Sequence, residues 1–226
     1  MESLSFIKFK DYFIIFVQNP KILKIPTTYK TLKGTSEGLY KEKGSKFIGI
    51  AIKCEDEEEA KELLAKWKND HHQARHLCYA YRFGIKKDIY RVNDDGEPSN
   101  SAGAPILGQI QSFDLTNVLI GVVRYYGGTK LGVGGLINAY RTAAKEAIEH
   151  GNIIEEVVKD RFELYFDYAD MPLIMDTVKE SDATIQQQKF ENDCYLKIAI
   201  KIEASDVLLA KLETFVSLKI EKIGTF

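Results

Sequence analysis

Two segments of this 226-residue chain gather the side chains from which chemistry could be built. The first runs Asp94-Asp95-Gly96-Glu97-Pro98-Ser99 and sets three carboxylates and a hydroxyl in one polar stretch. Paired carboxylates can exchange protons with a substrate or hold a hard cation. EF-hand spacing is absent, however, and Asp-Gly followed closely by Pro is ordinary turn chemistry. The nucleophile-elbow pattern Gly-x-Ser-x-Gly is met at neither Ser99 nor Ser101. The stretch reads as a structural turn, and a hydrolase using Asp94, Asp95, Glu97 and Ser99 is the alternative. No residue is assigned a catalytic role.

The second segment is RYYGGTKLGVGGLINAY, residues 124–140. After Arg124, Tyr125 and Tyr126 come five glycines in nine positions: Gly127, Gly128, Gly132, Gly134 and Gly135. A Walker loop needs Lys and Ser/Thr after Gly132, where Val133 and Gly134 stand. A dinucleotide fingerprint starting at Gly132 needs a third glycine where Ile137 stands. Two readings stay open. The glycines permit a tight strand-to-helix crossing, or the N–H groups of the helix start receive an anion. On the second reading Arg124, Lys130 and Arg141 supply a small basic patch for phosphate groups. The glycine segment, with Tyr125 and Tyr126, is expected to pack beside the loop of Asp94, Asp95, Gly96, Glu97 and Ser99 as one shared binding surface, whose acids set orientation or meet a basic partner.

His72 and His76 lie four apart, but Gln73 replaces the glutamate of a His-Glu-x-x-His zinc motif. The segment also changes from helix to strand near Ala74, which takes the two rings out of helical alignment. No metal and no cofactor are expected, and His76 stays among the binding candidates only.

The elements that must position these groups can be read from periodicity. Residues 38–54 alternate about a Gly44 turn, a hairpin pattern. Ala60, Leu63, Leu64 and Trp67 form one apolar helical stripe behind an acidic first turn. Residues 74–84 make a strand with Leu77, Tyr79 and Tyr81 on one face and His76, Cys78 and Ala80 on the other. Residues 91–103 read as a polar loop, 104–113 as a short helix, and the β-branched run 115–126 as a central strand. A helix from about Gly135 to His150 follows. From about residue 157 the order becomes βαββαβ, a ferredoxin-like antiparallel sheet with two helices on one face. The chain is thus α+β, with an extension over 1–26, one domain over 27–153, a break near 152–158 and a second domain over 157–226.

Composition narrows the function. Hydrophobic residues make up 45% and charged residues 28%, and the net charge is −2. Such a balance excludes a broadly electrostatic nucleic-acid binder. Residues 157–226 carry nine Lys/Arg against thirteen Asp/Glu, a net of −4, so the second domain reads as a docking or packing module. Three scattered cysteines form no CxxC pair, which suits a reducing cytoplasm. The apolar run at 13–17 is far shorter than the roughly 20 residues of a membrane span.

The stretches KGSKFIG (43–49), ARHLCYAYRFG (74–84), DDGEPSNSAGAPIL (94–107) and VVRYYGGTKLGVGGLINAY (122–140), in this order, resemble the IMPACT/YigZ family. The resemblance covers roughly residues 29–150, and the tail matches the second domain of bacterial members. It implies a first domain similar to the fourth domain of elongation factor G, with a ribosomal-protein-like βα fold, and a tail similar to that factor's fifth domain. It also implies a link to translation, since eukaryotic relatives regulate the amino-acid-starvation kinase pathway through protein contacts. Where relatives usually read Gly-Thr, this chain has Asn100-Ser101; Asn tolerates left-handed backbone and Ser keeps the hydroxyl. The expectation is a non-catalytic cytoplasmic protein that binds ribosome, structured RNA or a translation factor, with no membrane contact. A pure protein–protein adaptor is the remaining alternative.

Overall fold

The computed structural model describes residues 26–191 and 193–226, together with the backbone of β1 (Ser5–Phe9) and β2 (Tyr12–Phe16), which pair antiparallel. The remainder of the extension expected over 1–26 lies outside the described residues.

The first unit contains β3 (Thr28–Lys33), β4 (Thr35–Glu42), β5 (Ser45–Lys53), α1 (Glu57–Asp70), β6 (His76–Phe83), β7 (Ile89–Asn93), α2 (Gly103–Ser112), β8 (Val118–Tyr125), α3 (Gly132–Glu149) and β9 (Asn152–Val157). Five strands form an antiparallel sheet in the order β4-β5-β8-β6-β7. The expected central strand is β8, buried along its whole length up to Tyr125. A strand covered on both faces must be apolar throughout, which explains its unbroken hydrophobic run. α2 and α3 cover one face, where Phe47, Cys78, Ile120 and Val122 meet Ile106, Leu136 and Tyr140. α1 covers the other through Ala60 and Trp67, against Ile50, Tyr81, Leu119 and Val123. Asp56 caps α1, its Oδ1 accepting from the N–H groups of Glu58 and Glu59 at 2.9 Å, so the acidic run is a helix start.

Three strands escape the periodicity. β7 includes Arg91–Asn93, expected as loop; it is an exposed edge strand, so no burial alternation marks it. β3 and β9 pair with each other, and β9 occupies the segment expected as an interdomain break. α3 begins three residues before the expected start, with Gly134 and Gly135 inside its first turn.

The second unit follows as β10 (Lys159–Asp167), α4 (Met171–Glu180), β11 (Thr184–Phe190), β12 (Asp193–Lys201), α5 (Ile202–Leu212) and β13 (Lys219–Thr225). Its strand order β11-β12-β10-β13, antiparallel throughout, is the ferredoxin-like topology. Phe162, Leu164, Leu196 and Ile198 pack beneath Ile174, Val178, Leu208 and Leu212 of the two helices.

The junction is pinned rather than loose. Val158 is fully buried; its N–H donates to Thr27 O at 2.8 Å and its carbonyl accepts from Ile202 N at 3.1 Å. Beside it, Lys53 Nζ donates to both Glu156 oxygens at 2.9 and 2.8 Å, Tyr29 OH donates to Glu156 at 2.7 Å, and Arg161 reaches Glu55 at 3.3 Å. Burial alone would raise the Glu156 carboxyl, but the hydrogen bonds from Lys53 and Tyr29 outweigh it and hold the group below the ordinary glutamate value of 4.5. A folded pKa below the unfolded one adds stability above pH 4.5 that is lost as pH falls through the folded value. The stability gap between wild type and Glu156→Gln should therefore shrink when urea unfolding is repeated from pH 7 down to about 3. A constant gap would remove the ionic contribution.

We propose that the two cores are domains, 27–153 and 157–226. Residues 157–226 expressed alone should unfold cooperatively by circular dichroism; a non-cooperative melt would make the chain one folding unit.

The glycine segment crosses the tip of the β4–β5 hairpin, whose two-residue turn holds Lys43 at φ 46° and Gly44 at φ 80°. Gly127 lies so close that an added Cβ would overlap the Gly44 carbonyl and the Ser45 amide. Gly134, by contrast, has ordinary helical backbone and nothing within 4 Å of a built Cβ, so a side chain fits there, contrary to a tight-turn role. Gly127→Ala should cost about 1–3 kcal/mol in denaturant unfolding, the price of overpacking. Gly134→Ala should stay within about 0.5 kcal/mol of wild type or gain slightly.

Candidate anion-binding cleft

Residues 126–131 carry the chain from the end of β8 to the start of α3, and the start of α3 is bare. Leu131 at its cap offers no side-chain bond, and no acid stands in the first turn. The first four N–H groups therefore lack helical partners, and the positive end of the helix dipole faces outward. A cleft of about 400 Å³ opens beside it, with Arg75, His76, Glu97, Arg124, Tyr126 and Lys130 among its lining residues.

Arg124 is buried, its side chain 7% exposed. Its Nη1 donates to Glu97 Oε1 at 2.5 Å, and the same oxygen accepts from Tyr140 OH at 2.8 Å. Glu97 is itself only 4% exposed. The guanidinium lies 5.4 Å from the Phe47 ring and 5.5 Å from the Tyr126 ring, within cation–π range. Arg124 Nε has no partner among the described residues. Burial pushes the Tyr140 phenol well above the ordinary tyrosine value, so it remains a donor to Glu97. Arg75 stands over the outer part of Tyr126 at 6.0 Å, and His76 Nε2 lies 3.9 Å from Glu97.

The acidic loop is committed to its own shape. Asp94 Oδ1 accepts from Ala102 N and Gly103 N at 2.9 and 2.8 Å, which caps α2, and Oδ2 accepts from Asn100 N at 2.8 Å. Asp95 Oδ2 accepts from Leu77 N at 2.7 Å, and its carbonyl meets His76 Nδ1 at 2.6 Å. Asn100 takes the left-handed φ of 61° that its residue type tolerates, next to Asp95 at 39° and Gly96 at 84°. Ser101 Oγ donates to Pro98 O at 2.6 Å, and Ser99 is exposed with no side-chain hydrogen bond among the described residues. Of the three acids expected at a shared surface, Glu97 alone lines the cleft.

The basic patch is also redistributed. Lys130 and Gly132 line the cleft; Arg124 does too, but ion-paired rather than free. Arg141 stands on the third turn of α3, exposed and outside the lining. Tyr125 points to the opposite sheet face, where its OH meets His71 Nδ1 at 2.9 Å. Gly128 adopts φ 85° at the surface, while Gly134 and Gly135 lie in the first helical turn. Arg75 was not among the sequence candidates; it precedes β6, and its N–H donates to Arg124 O at 3.0 Å. Only the pairing of β6 with β8 places it here. α1 ends at Asp70 and β6 begins at His76, so His72 and His76 share no helix face. Among the described residues no group of three or more His, Cys, Asp or Glu side chains converges as a metal site.

The Impact N-terminal domain family matches residues 43–148. The chain is 34% identical over 160 residues to IMPACT family member YvyE of Bacillus subtilis, covering 71% of this chain and 74% of that protein. It is 33% identical over 172 residues to an IMPACT family member of Haemophilus influenzae, covering 75% and 84% respectively. The fold superposes with a TM-score of 0.70 on the crystal structure of a hypothetical protein, at 26% identity over 88% of this chain and 98% of the other. With motif order, family match and architecture in agreement, the chain belongs to the IMPACT family.

Proposed function

We propose that this protein is a non-catalytic, cytoplasmic, translation-associated regulator that binds structured RNA or the ribosome through phosphate contacts at the α3 cleft. Family membership supports the link to translation. One observation carries the binding mode: an uncapped helix start shares a cleft with a buried arginine and two exposed cations, Arg75 and Lys130. Such an arrangement suits an anion. The hydrolase alternative loses its means, since Asp94, Asp95 and Glu97 are all engaged by the loop or by Arg124. No described helix is long and apolar enough to cross a membrane.

A translation-factor protein is the second reading, favoured by edge strand β7. Ile89, Tyr90 and Val92 are 51%, 59% and 36% exposed there, on a strand hydrogen-bonded on one side only among the described residues. An edge of this kind suits an added strand from another protein.

Few phosphates can be neutralised by so small a patch, so affinity for RNA should fall with salt at a log–log slope of roughly −2. Lys130→Ala and Arg75→Ala should each flatten the slope by about one and weaken all RNA sequences alike, because phosphate contacts carry no base information. Arg141→Ala should leave the slope unchanged. Titrations across a salt series decide between the readings: identical slopes in wild type and Lys130→Ala, or no wild-type binding at low salt, would move the function to the β7 edge.

A further inference from the structure

We infer that the α3 cleft receives a terminal phosphomonoester carried on a nucleotide, either a free mononucleotide or the 5′ end of an RNA, rather than an internal phosphodiester. The inference rests on the reading of this cleft as a phosphate site and narrows its ligand.

Shape supplies the first argument. The Arg124 side chain is 7% exposed and lies within cation–π range of the Phe47 and Tyr126 rings. Nη1 is taken by Glu97 and Nε is sealed, so Nη2, which makes no hydrogen bond among the described residues, is the nitrogen an incoming oxygen can meet. An internal phosphodiester carries a ribose on both sides and presents only two unesterified oxygens, so its flanking sugars hold it at the rim. A monoester ends the chain and can advance three oxygens into the recess.

Charge supplies the second. Arg75, Arg124 and Lys130 face a single lining carboxylate, Glu97, which leaves a formal charge of +2. The helix start adds further positive potential and unpartnered N–H groups. A phosphomonoester near neutral pH carries about −1.5 to −2, a match that the single charge of a diester does not reach.

The walls supply the third. The rest of the lining is largely apolar: Pro98, Leu131, Val133 and Leu136, with the Tyr126 ring 43% exposed. At about 400 Å³ the cleft falls within the range of small-ligand pockets, roughly 300–1,000 Å³, which places a few polar groups in an apolar surround. Inorganic phosphate would leave those walls uncovered, whereas a base attached to the phosphate covers them.

The test is an anisotropy titration of the full chain with one short single-stranded RNA, labelled at its 3′ end and carrying either a 5′-phosphate or a 5′-hydroxyl. Adenosine monophosphate, adenosine and inorganic phosphate serve as competitors. The 5′-phosphorylated RNA should bind about tenfold tighter, the net worth of roughly one added charge-assisted hydrogen bond. Adenosine monophosphate should compete better than either adenosine or phosphate. Lys130→Ala and Arg75→Ala, both at exposed positions and checked for unchanged melting, should abolish the preference. Equal binding of the two RNAs, with the salt dependence retained, would overturn the monoester and leave general RNA binding standing. Binding of adenosine monophosphate in preference to adenosine, measured directly and without any RNA binding, would support the monoester with a free nucleotide as its source and remove the RNA reading. Failure of every probe would overturn both.

Discussion

A carboxylate with 4% of its surface in contact with solvent depends on the protein for the hydrogen bonds that water no longer supplies, and Glu97 receives them from two directions. Arg124 comes from the central strand and Tyr140 from α3, while Glu97 itself sits in the loop between β7 and α2. Three elements that are distant in the chain therefore converge on one oxygen. Removing one member of such a pair strands a buried charge, at a cost of about 3–5 kcal/mol. The register of the first unit is tied to this contact, because β8 must present residue 124 toward the face that α3 covers.

The surrounding loop exists to hold that carboxylate still. Asp94 and Asp95 accept backbone N–H groups from α2, β6 and their own loop, and three residues adopt positive φ to make the path possible. Side chains that resemble acid–base machinery thus serve as fasteners. The same contacts hold Arg124 in one orientation, and an ordered donor would lose little freedom on meeting the proposed ligand. The close passage of Gly127 over the β4–β5 turn completes the frame by fixing where α3 begins.

The two units divide the remaining tasks. Cations gather at the α3 start of the first, whereas the second carries a net −4 over residues 157–226 and lays its helices on one face of its sheet. Its other face shows Tyr165 and Tyr195 with ring centres 5.3 Å apart, both hydroxyls donating to Glu163 at 2.8 and 3.0 Å. Arg161 of this unit meets Glu55 of the first at 3.3 Å, beside the Lys53–Glu156 pair and a junction where Val158 is fully buried. The phosphate recognition proposed for the first unit and a pinned, acidic second unit together suit the binding role proposed above.

Sequence alone determined the elements whose pattern is local. The β4–β5 hairpin, α1, β6, β8 and the whole βαββαβ tail follow from alternation, helical stripes and turn residues, because burial on one face or on both writes itself into the next few positions. Motif order alone identified the family as well. β3 and β9 were not legible, because each pairs with a strand far away in the chain, and neither was β7, an exposed edge that carries no alternation. The site shows the same division. Proximity of the glycine segment to the acidic loop was foreseen, but which groups face the cleft was not. Tertiary structure decided that Arg75 enters, that Arg141 stays outside, that Tyr125 turns to the far face and that Arg124 arrives already paired. Side-chain identity sets what a residue can do, while strand register and helix phase, summed over contacts long in sequence, set what it touches.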